Sequence, residues 1–298
     1  MGKPEFIALF PPIAPIAIVL AFVVPVAAER LAGASADHGA EAPVWRSLGR
    51  GAEYAAIPLS PRPAIGDGLL RVVRVDPSLA TLRARVAAHL DGRARTAREW
   101  CNDSRVVAVI NAGMYDRDQS THIGFLRAGG RVGSARWVSA YRSILLLGAR
   151  HPNLPAATIR DASPAGRAAD FDDYDTVIQN LRLIRYPAVN VWTQSPRRWS
   201  EAAIALDREG RILLLFCRSP LTMHDFNALL AGLPLGVVRA MHVEGGPEAS
   251  LSVRGPGIEA DLAGSYETGF NAADDNMTQW PLPNVVTVEV GTPRPDPR

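Results

Sequence analysis

Two polar motifs, each placed directly after an apolar run, contain the residues best suited to chemistry. The first consists of His242 and Glu244, which end the run that begins at Val237, with Gly245 and Gly246 following at once. Alternate residues of a β-strand share a face, so His242 and Glu244 are predicted to lie side by side at a strand end. The two glycines let the backbone turn sharply and approach a ligand closely. The pattern fits an ordinary glycine turn as well as a binding site.

The second motif begins where the apolar run 106–110 ends. Asn111, Gly113, Tyr115 and Asp116 follow that run. A short, continuous apolar run of this kind is typical of a strand buried on both faces. Because polar groups again emerge at a strand end beside a glycine, we predict that this motif and the Glu244 segment meet at one edge of a sheet.

Together these motifs resemble those of the phosphodiester glycosidase family, secreted or lumenal proteins that share the catalytic domain of the mannose-6-phosphate uncovering enzyme. The stretch 111–115 is similar to the family's Asn-Gly-Gly-Met/Phe-Tyr/Phe motif, with Ala112 in place of a glycine. The stretch 124–130 resembles Gly-Leu/Phe-x-x-x-x-Gly, and Gln179 is the residue kept from Gln-Ser-Gly-Pro. The resemblance extends over residues 68 to 290.

The last motif of the family, Asp-Gly-Gly-x-x-Ser, resembles Glu244-Gly245-Gly246 with Ser250 a few residues later. Glu244 is one methylene longer than the family's usual Asp. The family's usual Arg before the penultimate strand falls at Glu201, with Arg197 and Arg198 just upstream. The resemblance therefore supports a shared fold more strongly than it supports the same reaction mechanism.

The resemblance implies cleavage of a sugar-1-phosphodiester at the glycosidic carbon, a reaction that needs a carboxylate and stabilisation of the phosphate charge. Glu244 is the first candidate for acid, base or nucleophile, and Asp116 is a possible second carboxylate. Arg198, Asn111 and the glycine amides after Glu244 are candidates for holding the phosphate. The residues expected to bind substrate are Gly113, Tyr115, Gln179, His242, Gly245, Gly246 and Ser250.

Two other functions remain open from the sequence. His122, His224 and His242 each lie near a motif, and three neutral imidazoles can form a catalytic zinc site, although their spacing matches no helical zinc motif. The replacements at Glu244 and Glu201 also fit a glycan- or envelope-binding protein of the same fold that does not turn substrate over. No cofactor is required by the glycosidase hypothesis, and a divalent cation is neither required nor excluded.

Composition and the N-terminus concern location and partners. The chain has 298 residues, is 47% hydrophobic and has a formal net charge of +2. No basic stripe with interleaved aromatic residues occurs, so nucleic acid is not an expected partner. Lys3 followed by the apolar stretch 6–28 predicts an export signal cleaved before Glu29, or else an uncleaved membrane anchor. We therefore expect a periplasmic or secreted protein, with membrane contact only through that segment.

The strands and helices expected around the motifs indicate an α/β (α+β) fold. It has a mixed β-sheet core flanked by helices in a single main domain. Residues 1–28 are the signal or anchor, 29–67 a flexible lead-in with a short strand near 54–57, and 68–298 the glycosidase-like domain. A hairpin is predicted over 202–216, followed by a helix capped by Thr222. The polar tail 264–280 is either a loop over a sugar site or a surface excursion. Pairing of Cys101 with Cys217 is left open.

Overall fold

The computed structural model describes residues 42–116, 118–163 and 169–291, without the side chains of residues 169 and 170. The predicted signal peptide or anchor, residues 1–28, lies outside the described residues. Within these ranges, no helix combines the length and the apolar character needed to cross a membrane.

Short strands are the main regular secondary structure of the described chain. The α-helices are α1 (Ala97–Trp100) and α2 (Met223–Gly232), and short 3-10 helices span Ala87–His89, Ala169–Asp173 and Gly246–Glu248. The strands are β1 (Arg46–Gly49), β2 (Ala52–Pro58), β3 (Leu69–Val75), β4 (Thr81–Val86), β5 (Val106–Asn111), β6 (Met114–Tyr115), β7 (His122–Ile123), β8 (Leu126–Ala128), β9 (Arg131–Ser134), β10 (Ser143–Ala149), β11 (Ala157–Asp161), β12 (Tyr174–Asn180), β13 (Arg182–Arg185), β14 (Val189–Asn190), β15 (Trp199–Asp207), β16 (Ile212–Leu221), β17 (Val237–His242), β18 (Ser250–Gly255), β19 (Ile258–Ala263) and β20 (Asn284–Glu289).

These strands form three larger sheets and one small ribbon. An eight-stranded sheet has the order β1-β2-β3-β16-β15-β17-β13-β14. One five-stranded sheet has the order β11-β10-β12-β8-β9, the other β19-β18-β5-β20-β4, and β6 pairs with β7. The buried cluster at the centre draws side chains from all three larger sheets, among them Val73, Ile110, Leu145 and Met241. The two motif strands, β5 and β17, therefore belong to different sheets that share one core.

The predicted α/β fold with flanking helices is wrong, because the strand pairs of the described chain are antiparallel and only α1 and α2 are α-helices there. Parallel neighbours need long crossover connections, whereas antiparallel neighbours can be joined by tight turns such as 207–211. The helix α2 joins β16 to β17, but β15 lies between these two strands. One helix-containing crossover thus produced a local α/β pattern in a β-rich protein.

Other local predictions have mixed outcomes. The hairpin over 202–216 is confirmed by β15 and β16, and Thr222 Oγ1 accepts a hydrogen bond from the Asp225 amide at 3.0 Å, which caps α2. The short strand near 54–57 is part of β2. Because β1 and β2 pair with one another and β2 with β3, residues 46–58 are sheet rather than flexible lead-in. Cys101 and Cys217 are buried and not bonded to each other, and burial raises the pKa of both thiols to about 12.

Candidate active site

The Glu244 loop leaves the sheet where β17 ends. Glu244 has a φ of 138°, a region that residues with a side chain rarely adopt. Its side chain is nearly buried, and its Oε2 accepts a hydrogen bond from the Tyr115 amide at 2.8 Å. A strained backbone held by a charged hydrogen bond fixes the direction of the carboxylate. The loop therefore holds Glu244 against the second motif.

Asn111, the last residue of β5, binds the same loop through its side chain. Its Nδ2 donates to the carbonyl of Val243 at 3.2 Å and to that of Glu244 at 3.3 Å. Its Oδ1 accepts from the Ser250 amide at 3.1 Å. The two motifs meet as predicted, but they meet between two sheets rather than at one edge of a single sheet, because β5 and β17 belong to different sheets. Because the Asn111 amide group is engaged with backbone atoms, it organises the loop that carries Glu244.

Gly113 and Tyr115 complete the first side of the site. A Cβ on Gly113 would overlap the ring of His122, which packs directly on this glycine. The Tyr115 hydroxyl donates to the carbonyl of Asn284 at 2.9 Å and accepts from the Ala112 amide at 3.3 Å. These two hydrogen bonds at the Tyr115 hydroxyl fix the side chain and so help to position the Tyr115 amide, the group that binds Glu244.

The glycines after Glu244 let other segments approach closely. A Cβ on Gly245 would overlap the Trp199 indole, and one on Gly246 would lie 2.6 Å from Glu267 Oε2. Gly246 also has a φ of 65°, which favours glycine. Glu267 lies in the polar tail predicted over 264–280, so the first part of that tail contacts the site.

Gln179 braces the neighbouring loops. Its Oε1 accepts from the amides of Phe125 and Val138, at 3.2 and 3.0 Å. Its Nε2 donates to the carbonyls of Val138 and Tyr141, both at 2.8 Å. The retained glutamine is fully buried and holds backbone, a different task from the predicted contact with substrate. Ser250 is likewise buried, and its Oγ donates to the Glu248 carbonyl at 3.2 Å.

Tyr141 is a half-buried residue that sequence reasoning missed. Burial raises the pKa of its hydroxyl, the carboxylates of Glu244 and Asp116 raise it further, and Arg136 lowers it. The hydroxyl is therefore within electrostatic range of all three charged groups. The ring also packs against the backbone at Gly124. Neither Tyr141 nor Arg136 belongs to a motif, so the sequence offered no signal for them.

Arg198 and Asp116 lie at the edge of this arrangement. Arg198 is exposed, its amide donates to Thr268 Oγ1 at 3.0 Å, and its carbonyl accepts from the Thr268 amide at 2.9 Å. Asp116 is half-buried and opens the turn between β6 and β7, where its amide donates to the Thr121 carbonyl at 2.9 Å. Arg198 is thus on the Glu267 side of the site and Asp116 on the Tyr141 side.

His242 pairs with the residue that replaces the family's usual arginine. Its Nδ1 makes a very short contact with Glu201 Oε1, and both side chains are buried, with exposures of 3% and 1%. Burial lowers the pKa of His242, but the carboxylates of Glu201, Glu244 and Glu267 raise it by more. Burial raises the pKa of Glu201, and His242 and Trp199 oppose this. The structure thus shows an unexpected ion pair at His242, whose contact with substrate stays a prediction.

The three histidines of the zinc hypothesis are in separate surroundings. His122 packs on Gly113, His224 Nδ1 lies 3.3 Å from Asp225 Oδ1 at the start of α2, and His242 pairs with Glu201. In residues 42–116, 118–163 and 169–291, no group of three or more His, Cys, Asp or Glu side chains is arranged to hold a metal ion. A site formed by these three histidines is not present.

Comparison with known proteins agrees with the motif analysis. The family model for phosphodiester glycosidase matches residues 104–289. The zebrafish N-acetylglucosamine-1-phosphodiester alpha-N-acetylglucosaminidase catalytic domain, auto-inhibited by its pro-peptide, has a similar fold, with a TM-score of 0.54, 14% identity, and 84% of this chain and 86% of that chain covered. A hypothetical protein from Synechocystis gives a TM-score of 0.53 at 15% identity, covering 84% of this chain and 64% of that chain. No curated protein matches. The chain belongs to the phosphodiester glycosidase family.

Proposed function

We propose that this protein is a hydrolase that cleaves the glycosidic bond of a sugar-1-phosphodiester, releasing a sugar and a phosphate monoester. The observation that carries the proposal is the position of Glu244, whose carboxylate is held by the Tyr115 amide where the two family motifs meet. Membership of the phosphodiester glycosidase family supports the class of reaction. At 14% identity, the similarity to the zebrafish enzyme supports the fold alone.

Glu244 is the proposed reacting carboxylate. The transition state of glycoside cleavage resembles an oxocarbenium ion, which a carboxylate stabilises by charge or captures as a nucleophile. The Tyr115 amide donates a hydrogen bond to Glu244 Oε2 and so holds the carboxylate in position for either role. Asp116 is the proposed second carboxylate, because it directly follows Tyr115, whose amide binds Glu244.

The leaving phosphate needs donors rather than a carboxylate. The amides of Gly245 and Gly246 and the side chain of the exposed Arg198 are the proposed donors, because Gly246 lies against Glu267 and the Arg198 backbone is bonded to the neighbouring Thr268. Arginine offers a planar fork that matches phosphate oxygens. We propose that the phosphodiester lies between the Glu244 loop and the 264–271 segment, with the sugar toward Tyr141.

The second candidate function is glycan binding without turnover. It is favoured by Glu244 and Glu201, which replace the family's usual Asp and Arg. The two functions make different predictions for one experiment. A binding protein retains an affinity for sugar phosphodiesters but releases no phosphate monoester.

The test is a panel of glycosyl phosphodiesters that differ in sugar and in the second phosphate substituent, incubated with the purified full chain with and without chelator. Release of reducing sugar together with phosphate monoester supports hydrolysis, and loss of that release with chelator would add a divalent cation. Calorimetric binding without release supports the glycan-binding function. If the panel shows no release of phosphate monoester and no binding, both proposed functions are refuted.

A further inference from the structure

Glu201 and His242 become neighbours through the register of two strands. Ala203 of β15 lies opposite His242 of β17. Glu201 is two residues before Ala203, so its side chain is on the same face as His242 and diagonal to it. The imidazole Nδ1 and the carboxylate Oε1 are in direct contact. The pair is therefore built into the central strands rather than into a mobile loop.

The surroundings of the pair do not account for it as packing. The second carboxylate oxygen of Glu201, Oε2, is buried, and besides His242 only the Trp199 side chain opposes the effect of burial on the pKa of Glu201. Across β16 the residue paired with Glu201 is Cys217, which offers no charge. Apolar side chains of similar volume often stabilise a protein as well as a buried ion pair does, or better. The Glu201–His242 pair lies next to the Glu244 loop, and this position suggests that the pair takes part in the reaction.

We propose that His242, held in orientation by Glu201, is the proton donor to the leaving phosphate in the hydrolysis proposed above, on which this inference rests. Glu201 is then a positioning residue: its carboxylate accepts the Nδ1 hydrogen bond, which fixes the ring and leaves Nε2 to carry the transferred proton. Glu244 supplies the negative charge at the sugar carbon. This assigns separate chemical tasks to His242, the last residue of β17, and to Glu244 in the loop that follows.

The step balances as follows. The bond between the anomeric carbon and the phosphate oxygen breaks, and its electron pair stays on that oxygen. The proton on His242 Nε2 moves to the same oxygen, so a protonated phosphate monoester leaves and the imidazole becomes neutral. A water molecule then attacks the sugar carbon and gives its proton to Nε2, which restores the imidazolium.

The charges facing His242 agree with a donor rather than a base. Glu201 on β15, Glu244 in the following loop and Glu267 in the 264–271 segment together raise the pKa of His242 against the effect of burial. The imidazolium therefore persists to higher pH than a free histidine does. Activity that depends on this proton is present at low and neutral pH and falls as pH rises through the His242 pKa.

The test combines variants with a leaving-group series. His242→Asn lowers kcat about 100-fold or more and changes KM little, because a positioned acid typically contributes a factor of about 10² to 10⁴. The loss is smaller for phosphodiesters whose leaving phosphate is less basic, since such groups need less help from a proton. Glu201→Gln lowers kcat about tenfold and moves the alkaline limb of the pH–rate profile to lower pH, a shift that a purely structural role does not produce.

Asp207→Asn is the matched control. Asp207 is a buried carboxylate at the other end of β15 from Glu201, and it forms an ion pair with Arg211. It should lose stability and keep the pH–rate profile. If His242→Asn does not fold, the parent enzyme still decides: imidazole ¹⁵N NMR must show a histidine whose pKa equals that of the alkaline limb, and that resonance must move in Glu201→Gln.

The two proposals fail in different ways. Turnover of glycosyl phosphodiesters that is unchanged in His242→Asn and Glu201→Gln would overturn the proton-donor role and leave the proposed function standing. The same conclusion follows if no imidazole titrates with the alkaline limb. Absence of turnover in the parent protein across the substrate panel would remove the proposed function, and the proton-donor role would fall with it.

Discussion

Asn111→Ala is expected to disconnect the two motifs. The substitution removes the hydrogen bonds to the carbonyls of Val243 and Glu244 and leaves the buried Ser250 amide without its acceptor. Each hydrogen bond contributes about 1 kcal/mol, and a buried unpaired amide costs about 1–3 kcal/mol. We therefore expect a loss of about 4 kcal/mol in the free energy of unfolding, measured by urea denaturation.

The loss of turnover should exceed the loss of folded protein. Without the hydrogen bonds from Asn111 Nδ2 to the Val243 and Glu244 carbonyls, this backbone can shift, and a displacement of about 1 Å at a reacting group can cost a factor of about 100 in rate. The assay is kcat on the best glycosyl phosphodiester, under conditions where denaturation curves show the variant folded.

Asn227→Ala is the matched control for this prediction. Asn227 is equally buried, and its Nδ2 donates to the Leu183 carbonyl and to Asn190 Oδ1, both at 2.9 Å, on the α2 side of the large sheet. It should be destabilised by a similar amount and retain turnover. An Asn111→Ala protein within about 1 kcal/mol of the parent, or one that is destabilised yet fully active, would refute the role assigned to Asn111.

Two further predictions concern pH and processing. Burial lowers the pKa of His122 to about 4, so the folded protein resists protonation that the unfolded chain accepts. Stability should therefore fall by up to about 3 kcal/mol as pH drops from about 6.5 to about 4. Urea titrations of His122→Gln should show a smaller fall over this window, and an equal fall would exclude His122 as its cause. For export, N-terminal sequencing of the mature protein should begin close to Glu29; a start at Met1 with the protein in the membrane fraction would favour an anchor.

The site could be predicted from the sequence to the extent that its residues follow strands. Asn111 and Glu244 follow apolar runs, and hydrophobic pattern alone indicates where such runs end. Their meeting between two different sheets could not be deduced from that pattern. What Asn111 does there could not be predicted, because its three hydrogen bonds go to the backbone of a loop whose path is set by the φ of 138° at Glu244. The same holds for Gln179, which braces loops.

The fold class was missed because a helix between two strands gives the same local sequence pattern in an α/β protein and in a β-rich protein. The order β16-β15-β17, which makes the α2 crossover skip a strand, depends on pairing between distant residues. The contacts of Glu201 with His242 and of Glu267 with Gly246 are likewise long-range. The register of two strands can be deduced only once it is known that they are neighbours. The contact between Glu201 and His242 could therefore not be predicted from the sequence, which shows only the two residue types.

The most direct measurement of the central proposal is the rate of phosphate monoester release by Glu244→Gln beside the parent protein and Glu244→Asp. Gln keeps the shape and can still accept the Tyr115 hydrogen bond, so the free energy of unfolding should stay within about 1 kcal/mol. It cannot ionise, so turnover should fall by about two orders of magnitude or more, whereas Glu244→Asp should retain measurable activity. Release by Glu244→Gln at the parental rate would contradict the proposal and show that Glu244 is structural.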